Sequence, residues 1–100
     1  MKQDEYALYY VSNQTPEICI AAVKSDGYAL QYVKKQTTEI CLIAVQRDGL
    51  ALMHVENQTP EICVEAIKQN PEAYKYVKLP ETEPEREKFI RKLSFLLLPS

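Results

Sequence analysis

The chain repeats itself every 22 residues, and this period constrains its fold more than any other feature. QTPEIC occupies residues 14–19 and 58–63, and the near copy QTTEIC occupies residues 36–41 between them. A period of this length is typical of repeat proteins, in which each unit buries its apolar face against its neighbours. We therefore predict a single domain made of stacked copies of one unit.

Each unit is predicted to contain two short helices. The first begins after a threonine N-cap, with proline next in two units and glutamate near the positive end of the helix dipole. These capping threonines are Thr15, Thr37 and Thr59. The second helix begins at a residue whose side-chain oxygen can cap the next turn. These second caps are Asp26, Asp48 and Asn70.

A glycine follows the second cap in two of the units. Gly27 and Gly49 occupy this position, and Pro71 occupies it in the last unit. An Asp-Gly pair is typical of a tight turn with positive φ, but proline fixes φ near about −65°. We therefore predict that the two glycines are first residues of helices rather than left-handed turn residues.

The pattern predicts an all-α protein. A pair of helices of two to three turns cannot bury its apolar face alone, so the pairs should stack into a short α-solenoid of 22-residue helical hairpins with a C-terminal capping helix. We expect about seven helices by this pattern. Within an array over residues 1–78, the predicted boundaries are a half unit at 4–12 and full units at 14–35, 36–57 and 58–78.

The repeat ends after Val77. The following residues predict an acidic, proline-containing connector over residues 79–85 and an amphipathic helix over residues 86–100. Thr82 and Glu85 have the spacing of a capping box, which would place the first turn at about Glu83. The helix either caps the open end of the stack or binds a partner through its apolar stripe. A membrane-surface helix is a weaker third alternative.

The three cysteines are predicted to be structural. Equivalent residues of stacked units lie about 8–10 Å apart, whereas a disulfide needs Cα atoms within about 7 Å and zinc needs its sulfurs at about 2.3 Å. Cys19, Cys41 and Cys63 should therefore form a row that cannot meet at one metal ion. We interpret each as a small buried hydrophobe between units.

No catalytic constellation is visible in the sequence. His54 is the only histidine, and it replaces Tyr10, Tyr32 and Tyr76 of the other units, so we interpret it as one member of an aromatic column. A general base would need an orienting partner and a nucleophile, and no phosphate-binding loop or hydrolase motif is present. We expect no enzyme activity, no catalytic or metal-binding residues and no cofactor.

The tyrosines suggest a binding surface. Seven of the 100 residues are tyrosine, and this residue type and methionine are enriched at protein interfaces. The equally weighted alternative is that the aromatic columns are simply core. The candidate partner-binding residues of the second helices are Tyr6, Tyr9, Tyr28, Gln31, Leu50 and Met53. Those of the C-terminal helix are Phe89, Leu93 and Leu97.

The charge balance disfavours nucleic acid as a direct partner. The formal net charge is −2 with both signs interspersed, and only Lys24, Lys34 and Lys35 cluster within the repeats. A polar start, the absence of a long apolar run and three unpaired cysteines favour a cytoplasmic protein without a membrane span.

The stretch YALQYVKKQTTEICLIAVQRDGLALMHV, residues 28–55, carries a family resemblance. It is similar to a tandem repeat family of unknown function found in bacteria, their phages and large DNA viruses, with the pattern ALxYVxxQTxEICLxAVxxxG. The resemblance covers Tyr6 to Val77. It implies stacked helical pairs and carries no catalytic residues to transfer, and the occurrence of the family makes inhibition of a host protein one hypothesis.

These observations favour a non-catalytic module that binds another protein, or itself, through the tyrosine-rich helical face, the C-terminal helix or both. The alternative is a nucleic-acid-binding helical repeat protein, in which aromatic residues would stack on bases.

Overall fold

A computed structural model describes residues 14–98, which form three repeat units and a C-terminal helix. Three α-helices begin the units: α1, Pro16–Ser25; α2, Thr38–Arg47; and α3, Pro60–Gln69. Three 3₁₀ helices complete them: η1, Gly27–Tyr32; η2, Gly49–His54; and η3, Pro71–Tyr76. The last helix is α4, Glu85–Leu97. Every regular element within residues 14–98 is helical, which confirms the all-α prediction, and the predicted half unit at 4–12 lies outside this range.

The threonine caps form as predicted. In each unit the threonine hydroxyl accepts the backbone N–H three residues later at 3.2 Å. The threonine itself has extended backbone angles, and in α1 and α3 proline occupies the first helical position. Because the cap satisfies a free amide of the first turn, the start of each α-helix is determined by local sequence.

The second helices are six-residue 3₁₀ helices. Asp26 accepts the Tyr28 N–H at 2.9 Å, and Asn70 makes the equivalent contact at 3.0 Å, as predicted. The prediction for Asp48 is wrong, because its carboxylate makes no capping bond to η2. Asp48 Oδ2 instead accepts the Gly27 N–H of the preceding unit at 2.9 Å. This carboxylate therefore joins two units rather than starting a helix.

The units stack in sequence order. Consecutive α-helices pack on each other, consecutive 3₁₀ helices pack on each other, and each 3₁₀ helix also packs on the α-helix of the following unit. The core residues of η1, η2 and their C-caps are almost completely buried, and they are Ala29, Leu30, Val33, Ala51, Leu52 and Val55. Burial of one leucine side chain stabilises the fold by about 1.5–3 kcal/mol, so these columns contribute strongly to cohesion between units.

The glycines allow two units to approach closely. No described glycine has positive φ, which confirms that Gly27 and Gly49 begin helices. A Cβ on Gly27 would lie 2.5 Å from the Ala44 carbonyl oxygen, and a Cβ on Gly49 would meet the Ala66 carbonyl oxygen in the same way. Glycine is therefore needed because the next α-helix passes too close for any side chain.

The C-terminal helix packs on α3 and makes no contact with η3. It begins at Glu85 after Pro84, without a side-chain cap, so the predicted capping box of Thr82 and Glu85 is wrong. The first turn is stabilised instead by the Arg86 backbone N–H, which donates to the Thr82 carbonyl at 3.0 Å, and by the Arg86 guanidinium, which donates to the connector carbonyls. In residues 14–98 no helix is both long and apolar enough to cross a membrane.

Candidate functional site

A glutamine before each threonine cap closes its unit. The Gln36 side-chain amide donates to the His54 carbonyl at 2.8 Å, and its oxygen accepts the Glu56 backbone N–H at 3.0 Å. Gln14 and Gln58 make the same two contacts in their own units. Because donor and acceptor groups of the amide are both used, each glutamine fixes the corner at which the chain leaves one unit for the next.

The cysteines are hydrogen-bonded to these glutamines. The Sγ atoms of Cys19, Cys41 and Cys63 lie 3.6, 3.4 and 3.3 Å from the Oε1 atom of the glutamine five residues earlier. All three thiols are free and buried. Their predicted burial is confirmed, and the sequence interpretation missed only the hydrogen bond. A thiol suits this position because it is small, apolar enough for the core and still a weak donor.

Burial makes these thiols poor nucleophiles. It raises the pKa of Cys19, and it raises the pKa of Cys63 to about 11. The pKa of Cys41 is also raised to about 11, first by burial and then by the nearby Glu56 carboxylate. A reactive cysteine needs a lowered pKa and access to solvent. Among residues 14–98 no group of three or more His, Cys, Asp or Glu side chains is placed to hold a metal ion.

His54 packs edge-on against Tyr28 of the preceding unit. The ring centroids are 6.3 Å apart and the ring planes cross at 85°. Burial lowers the pKa of His54, so the imidazole is neutral at pH 7. Burial raises the pKa of Tyr28, and the carboxylates of Asp48 and Asp26 raise it further. This aromatic pair joins two units, and Tyr28 is not a member of the predicted column of Tyr32, His54 and Tyr76.

The predicted tyrosine-rich face is only partly available to a partner. Tyr6 and Tyr9 lie outside the described residues. Tyr28 and Leu50 are half-buried, whereas Gln31 and Met53 are exposed. The second helices therefore present an alternation of half-buried and exposed side chains rather than a continuous aromatic surface.

Some apolar residues of the C-terminal helix are buried against the array, and others are exposed to solvent. Phe89 is buried in the core and Leu93 is half-buried against it, so these two predicted binding residues hold α4 on the array. Leu97, the third predicted residue, is 40% exposed, and Ile90 is 41% exposed. Phe95 is 71% exposed on a different side of the helix. Phe95 was not predicted as a binding residue because it falls outside the helical spacing that marked the others.

The last unit differs from the others at the face that would meet a fourth unit. Tyr74 is 68% exposed, although the equivalent Leu30 and Leu52 are fully buried. Three other positions of this face also change. Pro71 replaces the glycine of the earlier units, Glu72 replaces Tyr28 or Leu50, and Lys75 replaces Gln31 or Met53. The column change from leucine to tyrosine is a sequence signal that could have identified this end face.

Two shallow grooves lie between the α-helices. The first, of about 220 Å³, lies at the N-terminal ends of α1 and α2, and its polar lining includes Gln14, Thr15, Lys34 and Lys35. The second, also of about 220 Å³, lies beside the C-terminal end of α4, and its lining includes Leu42, Val64, Glu65 and Leu96. Neither groove contains a histidine or a reactive thiol, so their chemistry suits contact rather than catalysis.

The spacing of the units is matched by a known family. The domain of unknown function DUF4116 matches residues 15–58 and again residues 37–81. The second match begins 22 residues after the first, so each match spans two units in the register of the repeat. The chain belongs to this family. Comparisons with curated proteins and with solved structures find no match.

Proposed function

We propose that this chain is a non-catalytic protein-binding module. The observation that carries the proposal is the pair of strongly exposed apolar side chains at the end of α4, Phe95 and Leu98, which are 71% and 64% exposed. Phe95 lies in the last turn of α4, and Leu98 follows the helix as its C-cap. Large apolar side chains grouped on a helix surface are typical of docking sites for a protein partner.

The packing of α4 supports this assignment. Phe89 and Leu93 fasten the helix to the array, and the Lys92 ammonium lies 3.4 Å from the Glu61 carboxylate of α3. A helix held in this way presents its outer side chains without a further ordering cost on binding, which favours affinity. The exposed Met53 and Gln31 of the 3₁₀ helices form a second, more polar contact surface in the same proposal.

The cysteine and histidine side chains make structural contacts, which supports a binding role rather than a catalytic one. The cysteines donate to glutamines in the core, and His54 packs against Tyr28. The proposed setting is a reducing compartment such as the cytoplasm, because three free thiols are compatible with it. The family resemblance adds the hypothesis that the partner is a host protein that a phage or mobile element inhibits.

Capture from an extract of the native host tests the proposal. Phe95→Asp combined with Leu98→Asp should abolish capture of a partner that the unchanged chain retains, because a charge on each side chain prevents its desolvation. Lys88→Asp, on the same exposed helix, is the matched control and should retain capture. Equal capture by the double variant, with helical content unchanged, would remove this surface from consideration.

Nucleic acid is the alternative partner. The observation that favours it is the groove between α1 and α2, where Lys34 and Lys35 lie beside two helix N-termini, which attract anions. Binding through this groove should weaken as salt rises and should be lost in Lys34→Glu with Lys35→Glu. An electrophoretic shift assay with single-stranded oligonucleotides at low salt tests this alternative, and an unshifted oligonucleotide would exclude it.

A further inference from the structure

The groove between the N-terminal ends of α1 and α2 recurs in the next unit. A groove of about 100 Å³ lies between α2 and α3, and each of its lining residues is one repeat period after a residue that lines the first groove. The lining residues of this groove are Gln36, Thr37, Thr38, Cys41, Asn57 and Ile62. Their equivalents in the first groove are Gln14, Thr15, Pro16, Cys19, Lys35 and Ile40.

A third groove continues the row between α3 and α4, with a volume of about 270 Å³. Three of its lining residues lie two repeat periods after their equivalents in the first groove, and they are Gln58, Lys78 and Leu79. Phe89 of α4 lines it where an isoleucine lines the first two grooves. Phe89 also lines a shallow pocket with Pro60, as Ile40 lines one with Pro16. We call the three grooves edge grooves 1, 2 and 3, in chain order.

Each edge groove combines an apolar wall with a polar rim. Ile40, Ile62 and Phe89 contribute to the walls, and all three are buried in the core. At the rims, Lys35 of edge groove 1 and Asn57 of edge grooves 2 and 3 are exposed. A ligand can therefore place an apolar side chain against each wall and keep its own polar groups at the rims.

The spacing of the edge grooves selects the conformation of a chain that fills all three. Consecutive α-helices of the array pack on each other, so neighbouring grooves lie about 8–10 Å apart. Polyproline II has three residues per turn and rises about 3.1 Å per residue, so every third side chain recurs on one side after about 9 Å. The corresponding repeat is about 7 Å in a β-strand and about 5.4 Å in an α-helix. Of these conformations, polyproline II matches the array.

The two ends of the row differ in charge. Lys34 and Lys35 line edge groove 1, and no acidic side chain of the described residues lines it. Edge groove 3 is lined by one lysine, Lys78, and one glutamate, Glu56. Edge groove 1 is therefore the end that attracts an acidic group. A nucleic acid along the whole row would bring its phosphates to Glu56, which favours a peptide over a polyanion for this edge.

We propose that the three edge grooves together bind an extended peptide segment in polyproline II conformation, with an apolar side chain at every third position and an acidic residue at edge groove 1. The proposal rests on the proposed protein-binding function and assigns it a further surface. Phe95 and Leu98 do not line any edge groove. A polyproline II segment is already extended before it binds, so little conformational entropy is lost on docking.

Fluorescence anisotropy of labelled synthetic peptides with the full chain tests the proposal. The probe has three Leu-Pro-Pro triplets and two aspartates, and it is made with the aspartates before or after the triplets because either chain direction can follow the edge. One of the two orders should bind. Peptides of the same composition with leucine at every second or every fourth position should bind at least about tenfold more weakly, because their leucines cannot enter all three grooves. If neither probe binds the unchanged chain, or if spacing has no effect, the proposal is wrong.

Asn57→Trp locates the bound peptide on the array. Because Asn57 is exposed and lines edge grooves 2 and 3, a tryptophan there should fill both and weaken binding of the probe at least about tenfold. Gln46→Trp is the matched control, since Gln46 is an exposed amide near the other end of α2, and it should leave the affinity unchanged. Circular dichroism and the urea midpoint establish that both variants are folded. Equal affinities of the two folded variants would overturn the assignment.

Reversal of charge tests the acidic end of the peptide. Lys34→Glu with Lys35→Glu should weaken the aspartate probe about fivefold, and a probe with lysines in place of the aspartates should recover the lost affinity. A nucleic acid has no such rescue, because its phosphates keep their charge. A lysine probe that binds this variant no better than the aspartate probe would contradict the assignment of the acidic residue to edge groove 1.

The exposed end of α4 separates this proposal from the proposed function. Phe95→Asp with Leu98→Asp should lose capture of the host partner and keep the affinity for the probe, because these side chains do not line the edge grooves. Asn57→Trp should lose the probe and keep the capture that depends on α4. A failure of the probe with capture intact overturns the edge grooves alone, and a failure of capture with probe binding intact overturns the α4 surface alone.

Discussion

The interface between two units and the free end of the last unit are formed by equivalent sequence positions, but these positions are buried in the first and exposed in the second. Between units, Gly27 and Gly49 allow close approach and Leu30 and Leu52 are fully buried. At the end, proline occupies the glycine column and an exposed tyrosine occupies the leucine column. The comparison teaches that the array ends both by changed side chains in these columns and by a connector after which α4 makes no contact with η3.

The largest expected difference between interior and end lies in the leucine column. Leu52→Ala should lower the free energy of unfolding by about 2–5 kcal/mol, because it leaves a cavity between two units. Tyr74→Ala at the equivalent end position should change it by less than about 0.5 kcal/mol, because the side chain is mostly in water. Urea unfolding at low protein concentration measures both, and equal losses would show that the end face is covered in solution.

The glycine column should give the next largest difference. Gly49→Ala should lower the free energy of unfolding by about 1–3 kcal/mol, because its Cβ meets a backbone carbonyl that cannot move aside cheaply. Pro71→Ala is the matched substitution at the end and should cost less than about 1 kcal/mol, since α4 makes no contact with η3. A stable Gly49→Ala variant would contradict the close approach of the units.

Loss of the glutamine that closes each unit should lower the free energy of unfolding by less than the substitutions above, and by the same amount in interior and last units. Gln36→Ala should lower the free energy of unfolding by about 1–2 kcal/mol, because the Glu56 N–H and the His54 carbonyl lose their partner. Gln58→Ala should match it. Gln46→Ala is the control, because its amide makes a longer contact of 3.4 Å at the surface and should change stability by less than about 0.5 kcal/mol.

The cysteines should make stability decrease in alkali. Their pKa is raised to about 11 at Cys41 and Cys63, against 9.0 for an ordinary thiol, so the folded state binds these protons more tightly than the unfolded state. This contribution is complete below pH 9 and is lost as pH rises toward about 11. The urea midpoint should therefore fall between about pH 9 and about pH 11, and less so in Cys63→Ala. An unchanged difference between the two proteins across this range would contradict the burial of Cys63.

Some features of the repeat units could be predicted from the sequence because they depend on residues close together in the chain. The threonine caps, the helical role of Gly27 and the burial of the cysteines were all confirmed. Each follows from side chains within one or two turns or from the repeat itself. The prediction that Asp48 caps η2 was wrong because its carboxylate accepts the Gly27 N–H, 21 residues away in the preceding unit, instead of a local backbone N–H.

The exposed apolar surface of α4 was less predictable from the sequence, because exposure of a side chain depends on which helices pack against each other. Phe89 and Phe95 are both aromatic residues of one helix, but the first is buried against the array and the second is in water. Helical spacing identified Phe89 as part of an apolar stripe, and only the position of α4 on α3 shows that this stripe faces inward. Phe95 was missed because it lies outside the stripe, whereas Leu97 was predicted and is 40% exposed.

By itself the sequence determined the period, the caps and the all-α stack, because these depend on local hydrogen bonds and on a pattern repeated three times. Only the tertiary structure decided that glycine is needed for a neighbouring carbonyl, that glutamine and cysteine bond within each unit, and that α4 leaves η3 uncovered. These features depend on distances between elements far apart in the chain, and those distances are set by packing of the whole array.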